Sequence, residues 1–226
     1  MQRRDFSALA AFAALSGTTG LVRADGLSNA DAASGIRAAL ERGASAAVEL
    51  LGKPDGFLGN PKVRIELPGF LKEAAKVLKF TGQQKRVDEL VTAMNRAAEA
   101  AVPEAKALLV SAVKSMSVSD ARGIVAGGQD SVTRFFASKT RAPLGERFLP
   151  IVTRETAKVD LAARFNAVAG KAAGMGLVKG DDANIERYVT GKALDGLYVM
   201  IAEEEKKIRA DPLGTGSAIL AKVFGR

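Results

Sequence analysis

Residues 87–116 read VDELVTAMNRAAEAAVPEAKALLVSAVKSM, and the fold follows from this stretch. Val87, Leu90, Val91, Met94, Ala98, Ala101, Ala105, Leu108, Leu109, Ala112 and Met116 fall on one arc at about 100° per residue, the pattern of a helix with one face in a core. A second face carries Ala93, Ala97, Ala100 and Ala107, whose small side chains let another helix approach. The spacing predicts one long central helix contacted on two sides. Pro103 should kink it, because proline lacks an N–H and crowds the preceding turn.

Upstream, Ser28 and Asp31 form a capping-box-like start, and Ile36, Leu40, Ala44, Ala47, Val48 and Leu51 recur at helical spacing up to Gly52. Residues 52–69 are dense in Gly, Pro and Asn, and within them Val63 to Leu67 alternates as a short extended segment without an obvious partner. A loop this long inside a compact domain is a functional flap, an Ω-loop or a structural crossover. Phe70 to about Phe80 reads as a short basic amphipathic helix broken at Gly82. Downstream, Ser117 and Asp120 start a helix that stops at Gly127-Gly128, and Asp130 caps the next, which carries Phe135 and Phe136. Helices are expected over Leu144 to about Val159, Leu161 to Met175, Asp182 to Ala210 and Ser217 to Phe224. The expected fold class is therefore all-α: a compact multi-helix bundle around one long central helix, with at most one short extended segment near residues 62–67.

The 226 residues suit one domain, and a hydrophobic content of 47% is ample for a core. Cysteine, histidine and tryptophan are all absent. That removes disulfides, thiol nucleophiles, imidazole bases, and thiolate or imidazole metal ligands together. An enzyme built on this chain would rely on carboxylates, Lys, Tyr or an unassisted Ser. No cofactor is expected, and nothing in the sequence points to nucleic acid.

Met1 to Ala24 has a basic start at Arg3 and Arg4, an Ala/Leu/Phe stretch from Phe6 to Leu15, and Val22-Arg23-Ala24 where signal peptidase would cut. Residues 1–24 are expected to be a signal peptide and residues 25–226 a single helical domain working in the periplasm. Arg3-Arg4-Asp5-Phe6 also fits the core of a twin-arginine signal, so both export routes stay open. Removing Arg3, Arg4, Arg23 and Asp5 lowers the net charge from +8 to +6. Beyond the N-terminus no apolar run approaches 20 residues, so no transmembrane span is expected in the mature chain. Arg64, Lys72, Lys76, Lys79, Lys85 and Arg86 form the one local basic concentration, which reads as a solvated face or as a contact for an anionic envelope component.

Motifs that usually carry chemistry are weak here. Ser111 and Lys114 match S-x-x-K, but mid-helix and without a K-T-G triplet. Gly174-Met-Gly176 and Gly180 follow a helix rather than a strand and read as a helix end. Asp181, Asp182, Asn184 and Glu186 lack calcium-loop spacing and read as helix capping, so no metal site is expected. Glu205 is more informative, lying close to the centre of the apolar arc of Leu194, Leu197, Tyr198, Ile201 and Ile208. A carboxylate there either meets a basic group, for which Arg96 or Arg209 could serve, or has its pKa raised as in a catalytic acid, and it should lie largely buried against the central helix.

Several strings resemble a known family: Asp55-Gly-Phe-Leu-Gly-Asn-Pro61, Met94-Asn-Arg-Ala-Ala-Glu99, Met116-Ser-Val-Ser-Asp-Ala121, Tyr188-Val-Thr190, Lys192-Ala-Leu-Asp-Gly-Leu-Tyr198 and Ile208-Arg-Ala-Asp-Pro212. Together they are similar to the bacterial domain-of-unknown-function family 4197 over roughly Leu27 to Phe224. The resemblance implies an exported, mostly helical envelope protein and supplies no mechanism. It maps the family's shared polar positions onto Asn60, Asn95, Arg96, Glu99, Asp120, Asp195, Glu204, Glu205 and Arg209, candidates for a ligand site or a structural polar network. The expected function is a non-catalytic periplasmic binding or envelope-support module, with an apolar ligand or partner held between helices under the 52–69 loop. Two alternatives stand beside it. One is a hydrolase or lyase using carboxylates such as Glu99 and Glu205; the other is a structural homo-oligomer pairing through Val63 to Leu67.

Overall fold

A computed structural model describes residues 29–69, 71, 72, 75, 80, 82–160, 162–166 and 184–211. The expected signal peptide, the Ser28 cap, most of the helices expected over 70–80 and 161–175, the 174–180 glycine turn, Asp181, Asp182 and the 217–224 helix lie outside the described residues.

The fold is all-α. Its helices are α1 (Asn29–Leu51), α2 (Gln84–Ala101), α3 (Ala105–Lys114), α4 (Val118–Ala126), α5 (Ser131–Thr156) and α6 (Ile185–Ala210). The most extensive packing is between α5 and α6; α2 lies across that pair, and α1 closes the other side against α6 and α3. The apolar positions read from the sequence fill this core, with Ile36, Leu51, Leu90, Met94, Leu109 and Leu197 almost wholly buried.

Pro103 does more than kink the expected central helix. Val102–Glu104 form a 3-10 turn, so residues 84–114 run as two helices, α2 and α3, rather than one. The missing proline N–H and the crowded preceding turn favour the tighter geometry at this point. The small-residue face is only half covered as well: Ala97 is buried, whereas Ala100 and Ala107 are exposed.

A second difference concerns α5, which runs unbroken through Pro143 and Pro150 where the sequence suggests two helices. Its buried residues Val132, Phe136, Thr140, Leu144, Phe148, Val152 and Thr156 recur every fourth position. At 3.6 residues per turn each step of four rotates the buried row by about 40°, so the row winds roughly 240° around the helix. No single apolar face marks it as one element.

Residues 52–68 contain turns and an extended run but no strand. Val63, Ile65 and Leu67 are buried and Arg64 and Glu66 exposed, as the alternation predicts. The bend into this loop needs special backbone: Asp55 has φ +64°, and a Cβ at Gly56 would lie 2.4 Å from the Leu51 carbonyl oxygen.

Candidate functional site

The nine polar positions sort into two buried clusters and three outlying groups. The first cluster ties the 52–68 loop to α2. Asn95 is fully buried and acts as a surrogate backbone for the extended run. Its Oδ1 accepts from the Ile65 N–H at 2.8 Å, while its Nδ2 donates to the Ile65 carbonyl at 2.9 Å and to the Val91 carbonyl at 2.8 Å. This is why an extended segment with no sheet neighbour is stable, since its buried amide and carbonyl both find partners.

One turn further along α2, Glu99 Oε1 accepts from the N–H groups of Phe57 at 3.0 Å and Leu58 at 3.1 Å. Its other oxygen takes Arg96 Nη1 at 2.6 Å, and Arg96 Nη2 reaches Asp55 Oδ1 at 2.8 Å. The Glu99 carboxylate raises the Arg96 guanidinium above its already high ordinary value. The i, i+3 spacing of Arg96 and Glu99 puts both on one face of α2 opposite the loop. Asn60 completes the cluster: its Oδ1 accepts from the Lys62 N–H at 3.1 Å, and its Nδ2 points to Met200 Sδ at 3.8 Å.

Beneath this latch sits Phe57, fully buried. Gly196 of α6 makes room for it, because a Cβ there would lie 2.6 Å from Phe57 Cε1. The ring packs into the space beneath the loop.

The second cluster joins helix ends. Glu205, 3% exposed, takes Arg209 on Oε1 through Nε at 3.0 Å and Nη2 at 2.8 Å. The same carboxylate faces the start of α5, near the N–H groups of Val132 at 3.3 Å and Thr133 at 3.4 Å. Asp130, expected to cap α5, makes no side-chain cap bond there and pairs instead with Arg134. A negative charge at a helix N-terminus meets unpaired amides and the positive end of the dipole, so Glu205 does this work from α6. Arg209 Nη2 also donates to the Ile124 carbonyl at 3.0 Å and to Ser131 Oγ at 2.8 Å, and Ser131 donates to the Ile124 carbonyl at 2.8 Å. The end of α4 and the start of α5 are thus clamped to α6. Glu205 is buried against this junction, and its basic partner is Arg209 rather than Arg96, which is committed to Glu99.

The remaining positions are simpler. Asp120 forms a capping box with Ser117 at the start of α4, and those hydrogen bonds hold its carboxyl below the usual range. Asp195 pairs with Arg141 at 2.7 Å on the surface, and Glu204 pairs with Lys207 at 2.6 Å along α6. Beside Glu204 and Glu205, between α1, α5 and α6, is a cavity of about 20 Å³. That is room for about one water molecule and far below the several hundred Å³ of a typical ligand pocket.

Ser111 and Lys114 lie exposed on the outer face of α3. Asn184 caps α6 by accepting from the Arg187 N–H at 2.8 Å, and Glu186 holds Asn166. Among the described residues no group of carboxylates is arranged to hold a metal ion, and no helix is long and apolar enough to cross a membrane.

A family model described as a protein of unknown function, DUF4197, matches residues 26–225. The chain belongs to the DUF4197 family. No curated protein and no solved structure matches it. For this DUF4197 chain the sequence singled out Arg96, Glu99, Glu205 and Arg209 but missed Asp55, Phe57, Ser131 and Gly196, which complete the two clusters. Asp55 and Phe57 stand within the string that carries the resemblance. Ser131 carries no signal in the sequence, since its role arises only where α4, α5 and α6 meet.

Proposed function

We propose that the protein is an exported, non-catalytic envelope-support module that acts through its surface. One observation carries this reading: both buried carboxylates are spent inside the fold. A general acid or base must come within hydrogen-bond reach of a substrate proton. Glu99 is filled by two loop amides and Arg96, and Glu205 by Arg209 and the start of α5. The two share no partner, which disfavours a carboxylate-pair hydrolase or lyase.

Pairing through the extended run is disfavoured for a similar reason. Ile65 uses its N–H and carbonyl on Asn95, the Arg64 N–H goes to the Asn60 carbonyl, and the Glu66 carbonyl accepts from Tyr188. The plugged space under the loop moves the expected binding role from the interior to the exterior.

The envelope address rests on the Arg3-Arg4 start, the apolar stretch and the Val22-Arg23-Ala24 end. N-terminal sequencing of protein from its host should find a chain starting near Asp25 in the periplasmic fraction. Met1 intact on the bulk of the protein would contradict the reading.

A further inference from the structure

We propose that Arg3 and Arg4 are read as a guanidinium pair by the twin-arginine translocase, so that this chain crosses the inner membrane already folded. This names the partner for export and rests on the exported reading above.

Positive charge alone does not account for this N-terminus. An ordinary secretory signal asks for a cationic start, which lysine supplies as well as arginine. Here both basic residues are arginine, adjacent, and followed by Asp5 and Phe6. Asp5 cancels one of the two charges, a poor choice for a purely electrostatic signal. Two neighbouring guanidinium forks instead offer planar, paired hydrogen bonding to carboxylates that an ammonium group does not reproduce. The apolar stretch is correspondingly weak: residues 8–15 hold five alanines among eight, and Ser16-Gly17-Thr18-Thr19-Gly20 follows. Alanine buries far less apolar surface than leucine, so entry of this stretch into a membrane is weakly driven. Arg23, beside the expected cut, puts a positive charge on the trailing side of the stretch. There it opposes the positive-inside orientation on which an ordinary signal relies.

The fold meets the condition that export in the folded state sets. With no cysteine it needs no oxidising compartment for its completion. Its closing contacts join residues far apart in sequence: Asn60 meets Met200, 140 positions on, and Ser131 meets Glu205, 74 positions on. The loop and the junction of α4 with α5 are therefore fixed only once α6 is made. From that point a helical bundle folds in about microseconds to milliseconds, whereas synthesis runs at roughly 5 to 20 residues per second. A chain finished in the cytoplasm is thus folded almost at once, with Phe57 seated against Gly196 and Glu205 held by Arg209. A pore for unfolded strands would have to undo both.

The test is fractionation of the native host expressing the full chain, reading the share that is processed and periplasmic. The double substitution Arg3→Lys, Arg4→Lys keeps both charges and leaves the mature protein untouched. It should cut that share by about tenfold or more while precursor builds up in the cytoplasm. Deleting the translocase should do the same to wild type. The double substitution Glu99→Ala, Glu205→Ala strips both latches; it should lower export behind the chain's own signal but not behind a leucine-rich secretory signal. Normal processing of the Arg3→Lys, Arg4→Lys variant overturns the proposal, because charge alone then suffices. So does undiminished export of the Glu99→Ala, Glu205→Ala variant once proteolysis shows it unfolded. Either result with wild type still processed and periplasmic leaves the envelope reading standing; wild type left unprocessed in the cytoplasm removes both.

Discussion

Glu205 shows how one side chain can look catalytic in a sequence and be structural in the fold. Its place between Ile201 and Ile208 made burial legible, because turning it to water would carry both neighbours out of the core. The choice between Arg96 and Arg209 was not legible, and neither was the start of α5. Ser131, which joins the cluster, is 74 positions away along the chain. Glu205→Ala should strand the Arg209 guanidinium and unsatisfy the first amides of α5, lowering stability by about 3 to 5 kcal/mol in urea melts. A double-mutant cycle with Arg209→Met should give a coupling above about 1 kcal/mol. Additive effects would show that the two residues act separately.

At the scale of elements, the misread helices have a common cause. Sequence patterns report the face a helix buries, and they work where that face stays fixed, as in α1 and α2. In α5 the buried row spirals, so two stretches with different apolar faces look like two helices. The 52–68 loop is the converse case, where alternation correctly gave the inward positions Val63, Ile65 and Leu67 while the partner strand it implied is replaced by one asparagine. Phe57 was invisible as a plug because Gly196, which admits it, reads as an ordinary mid-helix glycine. Gly196→Ala should therefore destabilise by about 1 to 3 kcal/mol through overpacking against Phe57, although alanine is the better helix former. Adding Phe57→Leu should recover part of the loss; a Gly196→Ala variant as stable as wild type would mean that the ring is not seated there.

The outer edge of the same loop carries a pH signature. Glu203 on α6 faces Lys62 of the loop and Lys206 of its own helix, and their ammonium groups hold its carboxyl down to about 2 from an ordinary 4.5. A depressed folded-state value means that the contribution is present above about 4.5 and is lost as pH falls toward 2. Stability measured across that window should decline less steeply in Glu203→Gln than in wild type. Identical slopes would show that the lysines do not hold the carboxylate in solution.

For the whole molecule, the all-α class followed from composition and period, and membership of the DUF4197 family from short strings scattered over the chain. The purpose of the nine polar positions could not be read from either. They come together only when α2 meets the loop and when α4, α5 and α6 converge. These positions hold the fold rather than perform chemistry. Urea melts of Glu99→Gln and Glu205→Gln test this most directly, because an amide keeps the shape but offers one acceptor in place of two and no charge. Each variant should lose about 1 to 3 kcal/mol. A variant as stable as wild type, or more so, would contradict it, since that is how a strained acid kept for activity behaves.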